Sequence, residues 1–379
     1  MNRKGIILLA IMALAACFPL RGMRQDILQD APHRMVFQGQ VTLPLLSDSP
    51  DIPADIVFAG DADEPLLYVL NSYKRRIEVF NLKDQSFNIL ELNPKPDFPI
   101  NGFGVQDDRI FLYSYWQHTV YEYRDRSLVN QYDTYQETLV HGRRTPYVYV
   151  QTLSPIRLFG NTLVMTGFRS GEASRSPDIQ DLVLTFLDLK SGNLANAVVM
   201  PEIYGKYNWG GGFAYRMPYF DLGADGKVVC CFAASEELTE YSLQTARTRQ
   251  VRAPSKYIKT IEPYSKKDRK SPVGSAEMQY YRNNPSYDGI LYDRWRDVYY
   301  RIALQPERPD RRGTKDMYRK PISIIVLDKN LQPLGETLLE EDVFFRPYCS
   351  FVSPEGLFIQ VLKGDEDHLY FYQYQYVEK

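Results

Sequence analysis

A segment of roughly 40 to 50 residues returns about six times along this chain, and that repetition constrains its fold more than any other feature. Five copies open with a proline followed by a polar residue: Pro53-Ala54-Asp55, Pro99-Ile100-Asn101, Pro218-Tyr219-Phe220-Asp221, Pro285-Ser286-Tyr287-Asp288 and Pro347-Tyr348-Cys349-Ser350. A looser copy lies around Ser154-Pro155. A short apolar run, a tight turn, a second apolar run and a third that often ends in an acidic turn follow each opening. Short strands repeated at this period are the signature of a β-propeller. The expected fold class is therefore all-β, a six-bladed β-propeller.

Turn chemistry supports strand-by-strand placement. Asp61-Ala62-Asp63-Glu64-Pro65 and Lys83-Asp84-Gln85-Ser86 read as hairpin turns inside the first blade. The third blade is expected to begin with an innermost strand at 156–159. The sixth shows only three strands, at 350–353, 357–362 and 368–376, while residues 34–45 alternate as a strand before the first repeat. That N-terminal strand can complete the C-terminal blade, closing the ring and removing open sheet edges. Residues 34–379 are thus expected to form a single propeller domain. With 44% hydrophobic residues the chain can bury a large core, and its 29 tyrosines favour strands over helices. A net charge of -2, with neither sign dominant, gives no argument for a nucleic-acid partner.

The N-terminus carries the second strong signal. Met1-Asn2-Arg3-Lys4 is a basic start, residues 6–16 are apolar, and Leu14-Ala15-Ala16-Cys17 follows. The apolar run reaches only ~16 Å as a helix against the ~30 Å hydrocarbon core, so it is a leader and not a span. It resembles the lipobox of bacterial lipoproteins. That resemblance implies a signal peptide at 1–16, lipidation of Cys17 and a tether at 17–33. Several acyl chains hold a protein stably on a membrane. Phe18 stands where an aspartate would signal inner-membrane retention, which favours the outer membrane; the periplasmic or surface face stays open. The other cysteines, Cys230, Cys231 and Cys349, read as buried apolar residues, and the four histidines show no ligand spacing.

Loop lengths point to a binding face. Connections from first to second strand and from third to fourth are short, while the long ones, at 168–181, 201–218, 253–288 and 305–321, join second to third strands or link blades. In a propeller those two types emerge on the same side, and insertions gathered there mark a binding face. The candidate ligand-binding residues on that side are Arg75, Trp116, His118, Arg143, Arg169, Trp209, Arg216, Arg282 and Arg346. Arginine with tryptophan and tyrosine suits carboxylate, phosphate or sugar groups through bidentate hydrogen bonds and stacking. As exposed loop residues, Trp209 and Arg216 are expected to tolerate alanine with a change of ~0.5 kcal/mol or less.

A catalytic alternative rests on the repeat openings. Asp55, Asn101, Asp221 and Asp288 all sit at the start of innermost strands, where convergent oxygens could hold Ca²⁺ or another divalent ion for a hydrolase or lactonase. A polar residue that caps each strand for structural reasons would recur in the same way.

The lipobox cysteine, the strand repeat, the Trp209-Gly210-Gly211-Gly212 loop and the tyrosine-rich C-terminal strand together resemble an uncharacterised family of Bacteroidetes lipoproteins. The resemblance implies a six-bladed propeller of the NHL or quinoprotein-like type and carries no activity with it. The expectation is a lipid-anchored cell-envelope binding module, with the metal-dependent hydrolase or lactonase as its alternative. The module would act through its long-loop face on a glycan, a small anionic ligand or another envelope protein.

Overall fold

Hairpins pre-set by their own turn residues build each blade. Asp61 Oδ1 accepts the backbone N–H groups of Asp63 and Glu64, and Asp188 Oδ1 accepts those of Lys190 and Ser191. Asp328 does the same for Asn330 and Gln332. These side chains mimic a turn's own hydrogen bonds and so reverse the chain locally. The computed structural model describes residues 32–136, 139–140, 143–169, 181–210, 213–267, 270, 272, 274–308 and 320–378; the leader and Cys17 lie outside them.

Six antiparallel sheets stand as blades around a central axis. The first runs Ile56–Gly60, Pro65–Asn71, Arg76–Asn81, Phe87–Leu90, and the second Gly102–Gln106, Arg109–Ser114, Thr119–Arg124, Ser127–Asp133. The fourth is Pro218–Leu222, Lys227–Phe232, Glu237–Ser242, Thr248–Arg252, and the fifth Ser286–Asp293, Val298–Leu304, Ile322–Leu327, Pro333–Leu338. Inner strands face a neighbouring blade on both sides, so alternation gives way to continuous burial along Val298–Leu304 and Gly356–Val361. Outer strands such as Thr248–Arg252 stay mostly exposed. Cys230, Cys231 and Cys349 are free thiols within this core, as expected.

The sixth blade closes the ring from both chain ends. Phe345–Ser353 is innermost, followed by Gly356–Val361 and His368–Glu378, and His33–Pro44 pairs antiparallel with the last of these from His33↔Glu378 to Pro44↔His368. That outermost strand also reaches the fifth blade, where Met35 N–H donates to Thr337 Oγ1 at 2.9 Å.

The third blade departs from expectation. Its innermost strand is split: Tyr147–Val148 pairs with Gly167 and Phe168, Arg157–Phe159 pairs with Thr162 to Val164, and the chain between them leaves the sheet. Residues 150–156 cross the axis as a plug. Thr152 Oγ1 donates to Asp55 Oδ1 of the first blade's opening (3.0 Å), and Leu153 O accepts Phe220 N–H of the fourth (3.2 Å). Glycines make the room. A Cβ on Gly102 would lie 2.6 Å from the Val150 side chain, and one on Gly289 would lie 2.8 Å from Leu153. Val150, Leu153 and Ile156 are all buried, and each such side chain contributes about 1.5–3 kcal/mol.

Candidate functional site

At four of the repeat openings, Asp55, Ser154, Asp221 and Asp288, the polar residue fastens one blade to another. Asp55 Oδ2 accepts Phe103 N–H at 3.0 Å, Ser154 Oγ donates to Pro218 O at 2.9 Å, and Asp221 Oδ2 accepts Tyr292 N–H at 2.8 Å. Asp288 Oδ2 accepts the hydroxyls of Tyr281 (2.7 Å) and, from the sixth blade, Tyr348 (2.6 Å). In these four copies the repeat opening is an inter-blade clasp. Asn101 differs: it is exposed and its Oδ1 accepts Tyr115 N–H at 2.8 Å inside its own blade. Asp55, Asn101, Asp221 and Asp288 do not gather. Asp55 precedes its strand whereas Asp221 lies near the far end of Pro218–Leu222, which separates them along the axis. Among the described residues no three His, Cys, Asp or Glu side chains are grouped so as to hold a metal ion.

Below the plug the axis opens into a funnel of about 770 Å³ on the side of the short turns. Every blade contributes to its wall: Phe58, Val105, Arg157, Asp221, Tyr292 and Val352 come from the first to the sixth in order. Arg157 is the first residue of the strand that resumes after the plug, and this places it in the funnel. Its Nε donates to Asp221 Oδ1 at 2.7 Å, while Asp221 is itself held by the N–H groups of Leu222 and Tyr292, both at 2.8 Å. The aspartate thus sets the arginine's orientation. The two terminal nitrogens of Arg157 have no partner among the described residues, and its side chain is 31% exposed. At the rim, Arg294 lies over the Trp295 ring at 4.5 Å and donates to Gly60 O at 2.6 Å. Asp61, Glu64 and Asp107 supply rim carboxylates from the turns of the first two blades. The N–H groups of Glu64 and Asp63 hold the Asp61 carboxyl below its usual range. Asp55, enclosed at the plug, is pushed up to about 7 by burial, against its hydrogen bonds and the Arg157 charge.

The long-loop face brings together only part of the predicted set. His118 packs at 5.0 Å from Tyr135 and 5.5 Å from Tyr147, Arg169 lies 4.8 Å over Tyr147, and Tyr115 links His118 to Trp116. Trp116 is 76% exposed. Arg143 pairs with Val140 in the two-stranded ladder of Leu139–Val140 and Arg143–Arg144. The others are elsewhere. Arg75 donates to Asp97 O at 2.7 Å, Arg346 reaches Gln360 Oε1 at 3.4 Å, and Arg282 pairs with buried Glu307 at 2.8 Å. Trp209 and Arg216 correct the expectation of exposed loop residues. Trp209 is buried with its Nε1 donating to Ile203 O at 2.9 Å, and buried Arg216 lies 3.9 Å from Asp181, which also pairs with Arg144 at 2.7 Å. Residues 200–210 and 213–217 of the long linker pack against the ring and carry both inward. Gly211 and Gly212 of the predicted glycine loop lie outside the described residues.

A family model described as a domain of unknown function, DUF4221, matches residues 36–338. The chain belongs to the DUF4221 family. A crystal structure of a DUF4221 family member from Bacteroides vulgatus superposes with a TM-score of 0.73 at 19% identity, covering 92% of this chain and 99% of that one. A candidate exported protein of Bacteroides fragilis superposes with a TM-score of 0.51 at 12% identity, over 92% of this chain and 97% of its own. Both likenesses extend the propeller fold over nearly the whole chain. No curated protein matches this DUF4221 chain. Among the described residues no helix is long and apolar enough to cross a membrane.

Arg157, Arg294 and Trp295 were not legible as site residues, because short turns give no signal of a cavity above them. One clue was present. Val148, Val150, Leu153 and Ile156 make the segment before Arg157 too apolar for a solvated linker, a sign that it enters the core.

Proposed function

We propose that this DUF4221 protein is a lipid-anchored binding module of the cell envelope whose ligand enters the funnel on the short-turn side. The observation that supports this is a concave site lined by all six blades, with an oriented arginine whose two terminal nitrogens have no partner among the described residues. Its volume falls within the ~300–1,000 Å³ of small-ligand sites. Six rigid blades hold the lining in place, so little ordering accompanies binding. The exposed Trp116 patch is a separate surface on the other face.

The test compares two variants of the purified protein against small-molecule fractions of an envelope extract, read by thermal shift. A ligand that binds only the folded state raises the unfolding midpoint. Val105→Trp, which fills the funnel, is expected to abolish the shift while unfolding cooperatively, and Trp116→Ala to keep it. The reverse pattern overturns the assignment in favour of the long-loop face. Anchorage is tested separately: Cys17→Ser is expected to release the protein from the membrane fraction.

A further inference from the structure

The charge arrangement inside the funnel narrows the ligand class, on the premise that the funnel is the binding site. Four carboxylates line it, Asp61, Glu64, Asp107 and Asp221, against two arginines, Arg157 and Arg294. A purely anionic ligand therefore enters a site with an excess of negative charge. Arg157 is already half-compensated by Asp221 at 2.7 Å, which suits a singly charged carboxylate better than a phosphate of higher charge. The free edge of its guanidinium offers two parallel donors, the geometry that matches a carboxylate. At the rim, Glu64 and Asp107 are exposed on the turns of adjacent blades. They present acceptors for an ammonium group. Phe58, Phe159 and Val352 add apolar groups to a lining that is otherwise largely polar.

We infer that the funnel takes a zwitterionic ligand of the short-peptide class, its terminal carboxylate on Arg157 and its ammonium at the Glu64 and Asp107 rim. The clasp that holds Asp221 against Tyr292 N–H thereby has a second use, since it fixes the arginine that receives the carboxylate. Specificity follows from complementarity to both charges of the ligand, because a ligand lacking either charge leaves one end unpaired.

The experiment measures binding of mixed di- and tripeptide pools by the full protein, each pool prepared as free acid, C-terminal amide and N-acetylated acid. The free acids are expected to bind at least tenfold more tightly than the amides and than the acetylated acids. Val105→Trp should abolish binding of all three. Arg157→Gln is expected to erase the preference for acid over amide, and Arg157→Lys, which keeps the charge, to retain part of it even where Gln weakens folding. Glu64→Gln with Asp107→Asn should erase the preference for a free amine and leave the acid preference intact. Equal binding of acid and amide by the wild-type protein, with Val105→Trp still abolishing both, overturns the zwitterion assignment and leaves the funnel as the site. Absence of any peptide binding sensitive to Val105→Trp also overturns it, and the funnel then stands or falls on the envelope-extract comparison.

Discussion

The two faces of this ring use their chain length in opposite ways. The long-loop face carries the insertions, yet much of their chemistry is turned inward: Trp209, Arg216 and Tyr281 are buried, and Arg282 is paired with a buried glutamate. The short-turn face has no insertions and stays open, with the funnel at its centre. One linker explains both sides. The 150–156 plug is taken from the long-loop side and packs between the blades, and the funnel lies on the other side. Insertion length shows where a propeller has varied; whether that length is exposed depends on what it packs against.

Substitutions can break or sharpen this contrast. The largest expected effect is at Trp209, where alanine removes a buried indole and should cost about 3–5 kcal/mol in a denaturant titration. A change below ~0.5 kcal/mol would restore Trp209 to the exposed class. Leu153→Ala at the plug should cost about 2–4 kcal/mol and also weaken binding in the funnel beneath it. Loss of stability without any effect on the funnel would separate the plug from the site.

A pH series probes the plug from a different direction. The Asp55 carboxyl in the folded state titrates at about 7 against 3.8 unfolded, so between those values the folded chain holds a proton that the unfolded chain has lost. Stability contributed by this group is therefore full below pH ~4 and falls as pH rises towards 7. Asp55→Asn, which cannot ionise, should flatten that part of the stability curve, and an unchanged slope would remove Asp55 as its source. The smallest effect is expected at Trp116, whose alanine variant should shift stability by no more than ~0.5 kcal/mol, being 76% exposed.

Blades and ring closure were legible because they follow local rules. Aspartate turns, alternating outer strands and a spare N-terminal strand lead to the six sheets observed, with register His33↔Glu378 completing the ring. The repeat openings were visible as a pattern but ambiguous in meaning. Asp55, Asp221 and Asp288 could equally be imagined converging on an ion, and only their different depths and their partners at Phe103, Tyr292 and Tyr348 show what each does. The burial of Trp209 and Arg216 depends on tertiary packing of a linker, which periodicity cannot reach. Arg157 was hidden for the same reason, since its position follows from a strand that breaks and resumes.

The closing strand also sets the side of the ring from which the preceding chain leaves. His33–Pro44 is the outermost strand of its blade, and the linker after it, 45–55, runs on the long-loop side to the first blade. Its other end, at His33, therefore lies on the side of the funnel. A chain held by lipid at Cys17 would hang from that side, on a leash of residues 17–32 that reaches at most roughly 55 Å when fully extended. The tether and the mouth of the funnel would then share one side of the ring.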